Sequence, residues 1–447
     1  MERVVNALPG LLKRLADGLL KGRGEHARSG RNAILAFAIR IISAAIAFAS
    51  QVVLARWMGG HEFGVFTYAW VWVSIIGTLA TLGFATSVIR ILPAYAATGR
   101  FERFRGFLHF GHLVSFGTGA MAMTAGLALL WLWGSALDPV YLMPLTLALI
   151  CLPAYGLTDF QDGVGRSQGW IGLALVPPYI LRPLLLFAFI GVALFITHRD
   201  NTAETAVMGA AAATWATASL QYSLQRRSFT GTIPAGPRAY AARDWFGQSL
   251  PLLVLDSFAL LMLNLDILLL QRFMEPQDIG IYFAAVRTIS LVSFIHFAVT
   301  AVAMPKFASL NAAGKRDEVM PFLKTMQAWT FLPSAAAGLV LLLLGKPILG
   351  LFGEGFAEGY PVMIILLGGI LMRALAGPAQ SLLIATGHQM TAAIILGITV
   401  LINAGLNLVL IPRLGLLGAA TATSAAFAFE AVATMVMARR HFFKDQP

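Results

Sequence analysis

The sequence predicts an all-α polytopic membrane protein of twelve transmembrane helices, built as two parallel-repeat lobes of six helices each. Composition, the spacing of apolar stretches and the placement of positive charge carry that prediction. Of 447 residues, 58% are hydrophobic and 12% charged, with a mean hydropathy of +0.76. A soluble chain carries about twice that share of charge. A spanning helix needs about 20 apolar residues. Such stretches fall at 32–55, 64–89, 107–133, 138–160, 171–196, 203–224, 247–270, 279–302, 322–344, 360–384, 390–410 and 415–438. With the N-terminus inside, 23 of the 32 Lys and Arg fall in cytoplasmic segments, 5 in outer loops and 4 within spans. Positive charge gathers on the cytoplasmic side of short-looped membrane proteins, so both termini are expected there.

The elements follow in order. Residues 1–31 hold seven Lys and Arg and lack the pattern of a secretory signal. Leu8, Leu11, Leu12, Leu15 and Leu19 recur at helical spacing between Lys13, Arg14, Asp17 and Lys21. The segment is read as basic and amphipathic, suited to an anionic leaflet. The N-lobe takes residues 32–224, a Gly-, Pro- and Arg-bearing cytoplasmic linker 225–246, the C-lobe 247–438 and a cytoplasmic tail 439–447. Pro144, Pro153, Pro251, Pro333 and Pro378 fall inside spans and predict bent helices. Cys151, the single cysteine, sits in an apolar stretch, so neither a disulfide framework nor a cysteine metal site is available within the chain. The isoelectric point of 10.1 follows from the basic loops and implies no nucleic-acid partner.

The halves repeat. Residues 54–69 read LARWMGGHEFGVFTYA and residues 270–285 read LQRFMEPQDIGIYFAA. An offset of 216 aligns Arg56 with Arg272, Met58 with Met274, Gly64 with Gly280 and Phe66 with Tyr282. An even number of spans separates the copies, so both halves share one orientation. Parallel repeats of this kind build two lobes that rock about a central path.

Four arginines lie inside the spans: Arg40, Arg182, Arg287 and Arg373. Each costs about 2.5–3.5 kcal/mol at bilayer depth unless paired or hydrated. Together they suit a cavity for an anion, since the planar guanidinium fork matches phosphate oxygens. The competing reading is an ion pair with Asp256, Asp266 or Glu430. For Arg182 it is a simple kink at Pro177, Pro178 and Pro183, which places Arg287 and Arg373 ahead of it as cargo ligands. Arg40 displaced by 216 lands on Asp256, so the two are also read as a gate pair.

The stretches LARWMGGHEFGVFTYA, LNLDILLLQRFMEPQDIGIYFAAVRTISL and INAGLNLVLIPRLGLLGAATAT resemble the multidrug/oligosaccharidyl-lipid/polysaccharide (MOP) exporter superfamily. Within it the chain is most similar to polysaccharide, O-antigen type, flippases, over roughly residues 30–440. The resemblance implies a transporter without catalytic residues or cofactor, working by alternating access. The implied cargo is an undecaprenyl-pyrophosphate-linked oligosaccharide, moved from the cytoplasmic to the periplasmic leaflet of a bacterial inner membrane for surface polysaccharide, including lipopolysaccharide. Implied partners are that lipid-linked glycan, membrane lipids and polysaccharide polymerase machinery. Arg287, after Tyr282-Phe283-Ala284-Ala285, resembles a cavity arginine of the related lipid II flippases, and Arg40 their first-span arginine.

Asp266, Asn403, Asn407 and Thr423 lie at similar depth in spans seven, eleven and twelve and offer oxygen ligands. They resemble the sodium site of lipid II flippases, with Asn407 where that family carries an acid. Na+ or H+ coupling at Asp266 follows as an expectation, against plain helix–helix hydrogen bonding. The runner-up function is a MATE-type cation-coupled multidrug antiporter, which needs acidic, aromatic cavities. Four intramembrane arginines against Asp256, Asp266 and Glu430 favour an anionic cargo. A membrane enzyme would need large polar outer loops, and the outer loops are short.

Overall fold

The computed structural model describes residues 25–196, 200–231 and 233–443. Residues 1–24 of the segment 1–31 expected to be amphipathic lie outside it, as do the end of the tail and the side chain of Arg40. Among the described residues the fold is helical throughout. The N-lobe contains α1 (Glu25–Met58), α2 (Gly60–Leu79), α3 (Phe84–Ala97), α4 (Phe101–Trp133), α5 (Pro139–Leu149), α6 (Leu152–Ser167), α7 (Ile171–Val176), α8 (Arg182–Phe195) and α9 (Ala203–Phe229). The C-lobe contains α10 (Ala242–Leu270), α11 (Pro276–Ala312), α12 (Arg316–Gly350), α13 (Tyr360–Ala376), α14 (Ala379–Ala385), α15 (Gln389–Leu414) and α16 (Leu416–Phe443).

Ten stretches are long and apolar enough to cross a membrane, or eleven with α5 and α6 taken as one span bent by 50°. The remaining expected span is α9, 27 residues long but too polar to qualify. Its buried Gln221 donates to Leu173 O at 3.0 Å, and its buried Gln225 donates to Gln161 O at 2.6 Å. The two glutamine amides of α9 thus donate to α6 and α7. Its first turn is capped from another helix, where Glu62 Oε2 accepts from Ala203 N at 2.7 Å.

Helix breaks follow local chemistry. Pro177 and Pro178 lack a backbone donor, and the chain opens into a π turn over Pro177–Leu181 before resuming helix at Arg182. The second span breaks between α2 and α3, where Leu82 has φ 48° and Gly83 φ 76°. Gly83 is also pressed against α10, since a Cβ there would lie 2.2 Å from Ser249 O. The fourth span runs past its expected end at 160 to Ser167, which carries Asp162 and Arg166 onto the helix. Asp162 is buried and pairs with Arg166 at 2.8 Å. Asp162 lies beyond the expected end of this span and was not counted among the intramembrane acids; Asp159 lies inside it and was overlooked.

The two copies of the repeat meet each other. Helix α2 packs along α11. A Cβ at Gly64 would sit 1.6 Å from Pro276 O, and one at Gly280 would sit 2.9 Å from Gly60 O. Phe63 stands edge-on to Phe283 and to Phe356, each with centroids 5.9 Å apart. Arg56 Nε donates to Leu351 O at 2.6 Å nearby. Farther along the second span, Phe84 meets Phe246 at 5.4 Å and Ser87 Oγ meets Ser249 Oγ at 2.7 Å. The lobes therefore touch at two levels, with a cleft between.

Replacing Gly64 with Ala forces α2 off the Pro276 carbonyl. The expected cost is about 1–3 kcal/mol, as for other overpacked interiors. Gly117, where a Cβ meets nothing within 4 Å, should accept Ala at no loss. Thermal unfolding of the two purified variants compares them, and equal midpoints would refute the close approach.

Candidate functional site

Between the two levels of lobe contact lies a cavity of ≈ 320 Å³. Helix α1 contributes Ser50 and Gln51, α2 contributes Phe66 and Trp70, α6 contributes Tyr155, α8 contributes Arg182, and α11 contributes Phe283 and Arg287. The N-lobe thus supplies one arginine and the C-lobe the other. The π turn ends at Arg182, whose guanidinium carbon lies 5.2 Å from the Tyr155 ring centroid and 5.7 Å from that of Trp70. Arg287 lies over Phe283, 4.5 Å from its centroid, and is exposed within the cleft. The ring faces stabilise both cations without neutralising them. Among the described residues no carboxylate lines this cavity. Buried Gln51 Oε1, on its wall, has no hydrogen-bond partner.

The remaining arginines stand elsewhere. Arg373 lies in the C-lobe, 3.5 Å from Glu430 Oε2 and over Phe427 at 5.3 Å. It opens onto a separate cavity of ≈ 190 Å³, also lined by Asp266 and His296. The ion pair anticipated for one of the arginines is formed here. The sequence ranking placed Arg373 ahead of Arg182, yet Arg182 is the one that shares a cavity with Arg287. Arg40 lies on α1, and Asp256 accepts from Thr86 Oγ1, across the lobes, at 2.8 Å.

The structure brings together all four residues of the expected cation site. Asp266 Oδ2 accepts from Thr423 at 2.5 Å and from Tyr282 at 2.6 Å, and its Oδ1 accepts from Asn407 at 2.8 Å. Asn403 Nδ2 donates to Thr423 Oγ1 at 3.0 Å, and Asn407 Nδ2 also reaches Asn403 Oδ1 at 3.1 Å. All five side chains are buried. Asn407 Oδ1 has no partner, which leaves one amide oxygen turned to no donor in a cluster of hard oxygen ligands. That donor set fits an alkali cation or a proton. Among the described residues no group of three His, Cys, Asp or Glu forms a transition-metal site. Tyr282 was missed from sequence, although the repeat holds its signal: Tyr282 aligns with Phe66 and differs from it by one hydroxyl.

Two packed lobes of membrane-spanning helices, a central cleft and paired arginines define a two-lobed membrane transporter fold. The sequence profile of the polysaccharide biosynthesis protein family matches residues 29–311, and the chain belongs to that family. Its fold is that of the MOP exporter superfamily. An inward-facing multidrug resistance MATE family transporter of that superfamily superposes with a TM-score of 0.71 at 13% identity, covering 92% of this chain and 98% of the other. The lipid II flippase MurJ, in an inward closed conformation, gives 0.71 at 14% identity over 92% and 89%. Agl15 of Haloferax volcanii, described as a probable low-salt glycan biosynthesis flippase, is 25% identical over 169 residues. That match covers 38% of this chain and 36% of the archaeal protein's length.

Removing the Asp266 carboxylate deletes three hydrogen bonds, whereas Tyr282→Phe removes one. Side-chain hydrogen bonds in membranes average about 0.6 kcal/mol, so Asp266→Ala should cost about 2 kcal/mol and Tyr282→Phe about 0.6 kcal/mol. Equilibrium unfolding in mixed micelles measures both, and equal losses would show that the carboxylate does not organise the cluster.

Proposed function

We propose that this protein flips a lipid-linked oligosaccharide, anchored by undecaprenyl pyrophosphate, from the cytoplasmic to the periplasmic leaflet of a bacterial inner membrane. The product would feed a surface polysaccharide such as the O-antigen of lipopolysaccharide. The observation that carries the reading is the meeting of Arg182 and Arg287, one from each lobe, in one aromatic-walled cavity. A pyrophosphate is strongly hydrated and cannot enter hydrocarbon bare. Guanidinium groups replace its water with charge-assisted hydrogen bonds. Because the two arginines ride on different lobes, rocking changes their separation, tightening the grip in one state and loosening it in the other. Membership of the polysaccharide biosynthesis family and the likeness to two flippases support a glycan cargo. A cationic drug finds no carboxylate in this cavity among the described residues, which disfavours an antiporter.

In this reading α9 is the sixth of twelve spans, and both termini face the cytoplasm. Asp266, with Asn403, Asn407 and Thr423, binds Na+ or a proton and couples its gradient to the rocking. Asp256 serves as a gate residue, bonded to Thr86 in one state and to Arg40 in another.

Loss of the gene should abolish a surface polysaccharide and accumulate its lipid-linked precursor on the cytoplasmic side. Arg182→Ala and Arg287→Ala should each lower complementation at least about tenfold, the worth of a hydrogen bond to a charged group. Lysine at either position should restore it only in part, since it lacks the fork. Immunoblots of membranes check that the variants are inserted. Full complementation by both alanine variants would remove the arginines from the cargo path, and a deletion strain sensitive only to cationic drugs would favour the antiporter.

A further inference from the structure

The N-lobe carries a second basic recess, away from the central cavity and independent of the cargo it takes. A space of ≈ 510 Å³ opens between the start of α4 and the end of α9, lined in part by Arg105, His109, Arg226 and Arg238. The segment joining the lobes forms its rim. Arg105 clamps that segment, donating from Nε to Pro237 O at 3.0 Å and from Nη1 to Pro234 O at 2.6 Å. Ala239 N donates to Glu102 O at 3.0 Å and closes the same contact. With Arg105 so engaged, Arg226 and Arg238 are left exposed at the mouth. Among the described residues neither pairs with a carboxylate.

Inside the mouth the recess has an apolar wall of Leu108, Tyr222 and Phe229. Helices α4 and α9 both pack on α6 and stand apart from each other, bridged by side chains: His112 and Tyr222 with rings 5.3 Å apart, then Phe116 and Trp215 at 6.3 Å. Phe160 of α6 forms the floor, 4.9 Å from His112. Leu113 and Phe116 are exposed farther along α4. A charged mouth above an apolar slot, at the ends of two membrane helices, has the polarity profile of a lipid. An anion free in water would use the mouth and gain nothing from the slot.

We propose that this crevice binds one anionic glycerophospholipid of the surrounding leaflet. Its phosphodiester sits on Arg226 and Arg238, and its acyl chains run past Tyr222 and along Phe116 and Leu113. Because the basic mouth is rimmed by the segment that connects the lobes, the bound lipid fastens that segment to the N-lobe beside the Arg105 clamp.

Native mass spectrometry of the full chain, titrated with phosphatidylglycerol or with phosphatidylcholine of the same acyl chains, tests the site. Phosphatidylglycerol should be retained at least about fivefold more strongly, and Arg226→Ala or Arg238→Ala should each remove about fivefold of its affinity, the contribution of one basic residue at a membrane surface. The double variant Arg439→Ala/Arg440→Ala removes twice that charge from α16 and should leave retention unchanged. Equal loss in that control would reveal general attraction and overturn the site. So would indifference to headgroup charge, displacement by millimolar inorganic phosphate, or a preference for undecaprenyl phosphate over phosphatidylglycerol.

Discussion

The structure depends on how closely α2 and α11 approach. They are the same element in the two repeats, and each meets its copy through the aligned glycine. At Gly64 and Gly280 the absence of a Cβ lets one backbone lie on the other, with Pro276 O filling the space a side chain would take. That contact fixes the axis about which the lobes are related. Every residue further along these helices is then positioned by it, including Phe66 and Trp70 on one side and Phe283 and Arg287 on the other. A wider separation would part the two arginines and open the cavity's aromatic wall. The cleft is thus a by-product of a backbone contact one to two turns away.

The arginines and acids of the interior divide into two kinds. Arg373 with Glu430 and Arg166 with Asp162 are paired, each cation beside its carboxylate. Arg182 and Arg287 have rings instead, which leave the positive charge available to a ligand. The distinction is energetic. A paired cation offers a ligand only what remains after an existing bond is broken, whereas a cation over a ring face offers nearly its whole charge.

Much of this was legible in the sequence. The repeat of LARWMGGHEFGVFTYA in LQRFMEPQDIGIYFAA announces two lobes, and charge asymmetry announces helices threaded through a bilayer. The cluster of Asp266, Asn403, Asn407 and Thr423 could be assembled from depth alone, because helices in a membrane are nearly parallel and residues at equal depth are neighbours. Azimuth is what depth does not give. Whether Arg182 or Arg373 faces the cleft is set by how each helix is rotated, and the π turn before Arg182 changes that rotation. Helix ends escaped for a related reason. The expected fourth span stops at 160, yet the helix continues to Ser167, where Arg166 pairs with Asp162 and Gln225 of α9 donates to Gln161 O.

The polarity of α9 has a consequence for how the chain is made. A helix whose buried face carries Thr214, Thr217, Gln221 and Gln225 gains little by dissolving in lipid alone. Its carbonyl and carboxylate partners belong to α2, α6 and α7, all of which emerge from the ribosome earlier. Biogenesis therefore has a direction written into it: α2, α6 and α7 form the surroundings into which α9 is delivered.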